Sequence, residues 1–302
     1  MKRLLLAAAI LSVYCSLSAQ ADVSGSPLLK GPYLGQKPPG ITPEVFAPGF
    51  VSTSAHEFSC SFTPDGKEFY FARRDPNLNY PVVMATKLLD GNWTKPEIVP
   101  FVEGGMSFEP IVTPDGGRLY FMSGKPVPGQ AGPPMNIFYV DREGDGWSTA
   151  KNAGAPFNPA KAMFVSSTSD GTIYTTDISE GPGSERIAVA RKIDGEYKTL
   201  ERMGPPVNAG TQSMYPFIAP DGSYLIFNSR RPGEKIQSVL SVSFKTRDGG
   251  WSEPRVIDLG AEAGTPFVSR DGKFLFFTSG ERGKSDIYWV SAEVIEALRP
   301  GR

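Results

Sequence analysis

Histidine and cysteine are almost missing from this chain, with one His (His56) and two Cys (Cys15 and Cys60) in 302 residues. Zinc sites assembled from Cys and His are therefore excluded. Cys15 falls in an apolar leader, which leaves Cys60 alone, and one thiol cannot close an internal bridge. Stability must come from packing, and Cys60 reads as a small buried hydrophobe. A charge bias is lacking too. The formal net charge of −1 sets up no field that would draw in nucleic acid or an anionic membrane surface. No stretch approaches the roughly 20 apolar residues of a spanning helix, so no integral membrane segment is expected. A Gly-x-Ser-x-Gly elbow and an Asp-rich calcium loop are both wanting, and neither metal nor cofactor is expected.

What the chain does have begins with Lys2 and Arg3, an apolar run from Leu4 to Leu11, and small residues ending in Ala19-Gln20-Ala21. This pattern predicts a secretory signal peptide over residues 1–21, with Asp22 as the new N-terminus and a periplasmic or secreted destination. Residues 22–40 are expected to be an extended segment, 41–292 one folded domain, and 293–302 a partly helical tail.

With 33 Gly and 28 Pro, the chain is built of many short strands and turns. One unit recurs five times around Pro64-Asp65-Gly66, Pro114-Asp115-Gly116, Ser169-Asp170-Gly171, Pro220-Asp221-Gly222 and Arg270-Asp271-Gly272. The Asp positions 65, 115, 170, 221 and 271 differ by 50, 55, 51 and 50, the period of a propeller blade. Tight turns need positive φ, which Gly adopts without steric cost and Asp tolerates. The strands that follow, such as Glu68-Phe69-Tyr70-Phe71 and Phe274-Leu275-Phe276-Phe277, are apolar on both faces, as inner strands of stacked blades must be.

A third strand, then an outer turn and an aromatic (Trp93, Trp147, Tyr197, Trp251) and a polar fourth strand complete four units. The tryptophans are expected to pack between fourth strands. The fifth unit lacks its fourth strand, and residues 42–46 (Thr-Pro-Glu-Val-Phe) match the outer strands Lys95–Val99 and Glu253–Ile257. The expected fold is all-β: a five-bladed propeller of four-stranded antiparallel blades, closed by this N-terminal strand against residues 286–290. The alternative is a six-bladed ring.

The unit Phe-Thr-Pro-Asp-Gly-Lys-Glu-Phe-Tyr-Phe at 62–71, repeated at 112–121 and 218–227, resembles the WD-like propeller repeat of the TolB periplasmic protein family. That resemblance implies the fold. Proteins carrying such repeats include binding scaffolds, peptidase-associated propellers and sugar-active enzymes, so it does not assign an activity.

Residues just before each inner strand and just after each second strand surround a propeller's channel, and here they differ between units. The candidate ligand-binding residues are His56, Arg73, Arg74, Lys125, Tyr215, Arg230, Arg231 and Arg282. Glu57, Glu109 and Asp177 are the candidate acids if the chain is an enzyme, since glycoside chemistry needs two carboxyls at set separations. The alternative is that Glu57 and Glu109 cap turns or pair with Arg73, Arg74 and Arg230. Two functions follow: a monomeric binding module for a protein or glycan ligand, or a carbohydrate-active hydrolase or lyase.

Overall fold

The computed structural model describes residues 29–102, 105–127, 135–230, 233, 236–281 and 283–301. The leader, Arg231 and Arg282 lie outside the described residues. Five antiparallel sheets form a five-bladed propeller, so the six-bladed alternative falls.

Blade one comprises His56–Phe62, Glu68–Asp75 and Tyr80–Leu89, with an outer edge split into Asn92–Trp93 and Glu97–Ile98. Blade two follows with Ser107–Val112, Arg118–Ser123 and Asn136–Glu143, edged by Gly146–Trp147 and Lys151–Asn152. Ala162–Ser167, Ile173–Asp177, Arg186–Ala190 and Glu201–Arg202 make blade three, and Ser213–Ile218, Tyr224–Arg230, Ser238–Phe244 and Arg255–Ile257 make blade four. Blade five holds Gly264–Val268, Phe274–Glu281 and Lys284–Ser291. Its fourth strand is Glu44–Val45 from the other end of the chain.

Burial explains the sequence pattern. Phe69, Tyr70, Phe71 and Ala72 are all fully buried, because one side of the second strand faces blade two and the other faces blade five. The closing strand pairs Glu44 with Trp289 and Val45 with Tyr288, and the Phe46 N–H donates to the Ile287 carbonyl at 2.8 Å. The Phe46 ring, fully buried, sits 5.0–6.2 Å from the rings of Phe62, Phe69, Phe276 and Trp289. It therefore packs blade one onto blade five, where a strand alone would give only two ladder rungs.

Upstream, Tyr33 packs edge-on to Phe62 and Phe274 and donates its hydroxyl to Asp271 at 2.8 Å, covering the same joint. Trp147 and Trp251 pack between neighbouring blades, but against second-strand tyrosines and not between fourth strands as expected, because the outer turn folds them over the adjacent blade. Trp147 donates to the Tyr70 hydroxyl of blade one at 2.7 Å, and Trp251 lies edge-on to Tyr174 of blade three. Cys60 is buried, and burial raises its thiol pKa. One helical turn, Glu293–Glu296, docks Ile295 against the core. No helix among the described residues is long and apolar enough to cross a membrane.

Candidate functional site

The channel has two ends. At one end lie the five Asp-Gly turns, where the Gly takes positive φ (69–84°) and the Asp does not. Each Asp carboxylate instead accepts the backbone N–H two residues on, at 2.9–3.2 Å. In four blades it also accepts a hydroxyl from Thr63, Thr113, Thr168 or Ser269. Arg270, standing where three other turns carry Pro, reaches from blade five to the Val112 carbonyl of blade two. Blades five and two are not neighbours in the ring, so this hydrogen bond links them past blade one at the turn end. Burial pulls the Arg270 guanidinium down to about 10, against the pull of Asp115 and Tyr224.

Part way along, every inner strand carries a β-bulge at the same place. The bulged residue has a left-handed backbone in each blade: Ser59 (φ 47°), Glu109 (57°), Phe164 (54°), Tyr215 (53°) and Thr265 (43°). Each stands six positions before its turn Asp (65−59, 115−109, 170−164, 221−215, 271−265). A left-handed non-glycine residue costs on the order of 1 kcal/mol, and it persists where surrounding contacts impose it. Those contacts are visible. The Ser59 N–H donates to Thr278 Oγ1 of blade five at 3.0 Å, the Tyr215 N–H to Thr176 Oγ1 of blade three at 2.9 Å, and the Phe164 backbone to the Glu109 carboxyl of blade two. In these three blades the preceding blade holds the bulge.

The Phe164 and Tyr215 rings meet edge to face at 5.5 Å, and the Glu109 charge acts on Tyr215 although blade three lies between their blades. Glu109 is 4 % exposed, and its Oε2 has no hydrogen-bond partner among the described residues. Burial pushes its carboxyl up to about 8, opposed only by the Phe164 backbone bond. Ser59 Oγ is likewise buried without a partner.

The other sequence-named residues separate into groups. Glu57, fully buried, accepts from Arg73 Nε and Thr53 Oγ1, each at 2.7 Å, and Arg73 Nη2 reaches the Val51 carbonyl at 2.9 Å. This cross-strand pair fastens residues 50–53 to blade one. His56 stacks on Phe58 and shares a 2.7 Å hydrogen bond between its Nδ1 and Ser285 Oγ. Burial and the Arg74 charge lower its pKa, so it is neutral near pH 7. Asp177 pairs with Arg202 at 2.6 Å inside blade three; burial raises its pKa, but the Arg202 and Ser179 bonds outweigh that and hold it below the ordinary carboxylate range. Arg74 and Lys125 are exposed at the mouth.

Arg230 bonds Gln237 at 3.3 Å and, with Gln212, Met214, Tyr215 and Asn228, lines a recess of about 270 Å³ at the mouth. The structure thus joins Tyr215 with Arg230, and Glu109 with Tyr215, while Glu57 and Asp177 are each engaged by an arginine. Sequence reasoning missed Phe164 and Arg270. A signal for the bulge was present: Pro110, Pro216 and Pro266 fall one residue after the left-handed position in blades two, four and five, and Pro inside a strand marks a bulge.

No protein-family model matches the chain, and no curated protein sequence matches it. Among solved structures it is similar to TolB from Acinetobacter baumannii, at 15% identity and TM-score 0.49, over 80% of this chain and 53% of that one. The chain thus spans about half of that protein. A gluconolactonase from Xanthomonas campestris is similar at 13% identity and TM-score 0.49, over 87% of this chain and 97% of that one. The native arabinanase of Bacillus subtilis is similar at 11% identity and TM-score 0.46, over 79% and 94%. All are distant likenesses, and no residue role is carried over from them.

Proposed function

We propose that the chain is an exported propeller that binds a protein or glycan at the mouth of its channel. The observation that carries this reading is the state of the three acids. Glu57 and Asp177 are each engaged by an arginine, which leaves Glu109 as the one candidate acid without an ion pair among the described residues. Glycoside hydrolysis by the common routes needs two carboxyls acting together. The recess beside Arg230 offers a guanidinium, amides and an aromatic ring, a set suited to hydroxyls and peptide groups. We assign the units at 62–71, 112–121 and 218–227 to the TolB-like, WD-like repeat group. Export rests on the leader pattern at residues 1–21.

A thermal-shift screen of residues 22–302 against a glycan panel and a peptide library tests the reading, because a ligand specific for the native state raises the melting temperature. The expected result is a saturable rise in the wild type that falls at least tenfold in apparent affinity in Arg230→Ala. No rise with either library would overturn it. A second reading, a hydrolase or lyase, is favoured by one observation, the carboxyl of Glu109 held neutral as a general acid must be. Release of reducing ends from a glycan substrate, abolished in Glu109→Gln, would establish the enzyme instead.

A further inference from the structure

We infer that the bulge ring is an ammonium site: a small organic cation enters through the mouth and places an alkylammonium group against Glu109, with Ser59, Phe164 and Tyr215 around it. The inference rests on the reading that ligands enter at the mouth, and it names what the ring inside would take.

Two polar atoms of adjacent blades at the same register, Glu109 Oε2 and Ser59 Oγ, are buried with no partner among the described residues. A buried acceptor left unpaired is costly, and a native structure keeps one where something else satisfies it. Phe164 stands next to Glu109 through its backbone bond, and the Tyr215 ring packs against Phe164. A carboxylate beside aromatic rings is the composition that attracts an ammonium, by charge and by the negative ring faces.

The nearby charges point the same way. The charges acting on Tyr215 are those of Glu109 and Glu185, both acidic. Arg73 is taken up by Glu57, and the charges acting on Arg270 are those of Asp115 and Tyr224. Among the described residues, burial and the Phe164 backbone alone act on the Glu109 carboxyl, and Tyr215 is the titratable side chain on which Glu109 acts. Among the described residues nothing therefore compensates an ionised Glu109, and an alkylammonium would. Binding must expel a proton wherever the free carboxyl is still protonated.

Calorimetry with n-butylammonium, at pH 7 and pH 9 in two buffers of different ionisation enthalpy, tests this directly. With Glu109 titrating near 8, binding should release about nine-tenths of a proton at pH 7 and about one-tenth at pH 9, and tighten about tenfold between them. Glu109→Gln, which conserves shape, should abolish binding and proton release together, while Tyr215→Phe and Ser59→Ala weaken binding a few-fold. n-Butanol should release no proton. No binding of n-butylammonium, binding without proton release at pH 7, or unchanged binding in Glu109→Gln would each overturn the proposal. Proton release in the wild type decides the matter even if a variant folds poorly. A glycan or peptide shift that depends on Arg230 but survives without any butylammonium binding would remove the ring site and leave the mouth reading standing.

Discussion

The two ends of the channel are built by the same five strands and behave oppositely. At the turn end the blades are near copies, with an Asp carboxylate gathering a hydroxyl and a backbone N–H in turn after turn, and Arg270 linking blades five and two. Further in, the fold imposes an equivalent left-handed bulge on every blade, yet the residues there are Ser, Glu, Phe, Tyr and Thr. Repetition of geometry without repetition of side chains is what a symmetric scaffold with one asymmetric site looks like. The repeated contacts sit in the copied end, and the side chains that distinguish one blade from another sit in the varied one.

The contrast breaks most easily at Glu109. Its carboxyl titrates near 8 in the fold against an ordinary 4.5, so the fold tolerates the protonated form. The associated stability is whole below about pH 4.5 and declines as pH rises, until it has gone above pH 8. Glu109→Gln should match the wild type at pH 4 and exceed it at pH 9 by up to roughly 5 kcal/mol, at 1.36 kcal/mol per pK unit. Denaturant midpoints at the two pH values check this. Equal midpoints at pH 9 would mean that the carboxylate already has a partner, and the varied end would then be as self-satisfied as the copied one.

Next in size is Glu57, which belongs to the mouth by position and to the framework by its bonds. Glu57→Ala leaves Arg73, only 17% exposed, without its counter-charge, and should cost about 3 kcal/mol. Glu57→Gln combined with Arg73→Met, which removes both charges, should recover most of that loss. If the single substitution costs under about 1 kcal/mol by the same denaturant measurement, the pair is not a structural lock. Glu57 would then be available to a ligand, and the division between the two ends would shift.

Most of the architecture was legible because it is repeated. A period near 50 residues fixes the blade count, and a missing fourth strand in the last unit sends the eye to residues 42–46, which lie where that logic puts them. Glu57 and Arg73 were readable as a possible pair because they are cross-strand neighbours. What stayed hidden depends on contacts between blades. Arg270 and Val112 are 158 positions apart, and no local pattern tells a turn residue that it will reach a non-adjacent blade. Phe164 is invisible to strict alternation, which ignores the bulge, although the three register-matched prolines of other blades mark it.

The smallest expected effect lies where the copied end departs from its own rule. Blade four has Ala219 at the position of Thr63, Thr113, Thr168 and Ser269, so Asp221 accepts the Ser223 N–H but no hydroxyl. In blades one, two and five that hydroxyl also accepts the N–H five residues on, from Glu68, Arg118 and Phe274. Ala219→Thr should supply both bonds and stabilise by about 1 kcal/mol, a rise of roughly 2–4 °C in melting temperature for a chain of this size. Thr113→Val, which keeps the shape and removes the hydroxyl, should cost a similar amount. A gain at 219 equal to the loss at 113 would show the turns to be interchangeable parts. A gain at 219 smaller than about 0.3 kcal/mol would mean that blade four satisfies its turn by other means, and the likeness of the five turns would be one of sequence more than of energy.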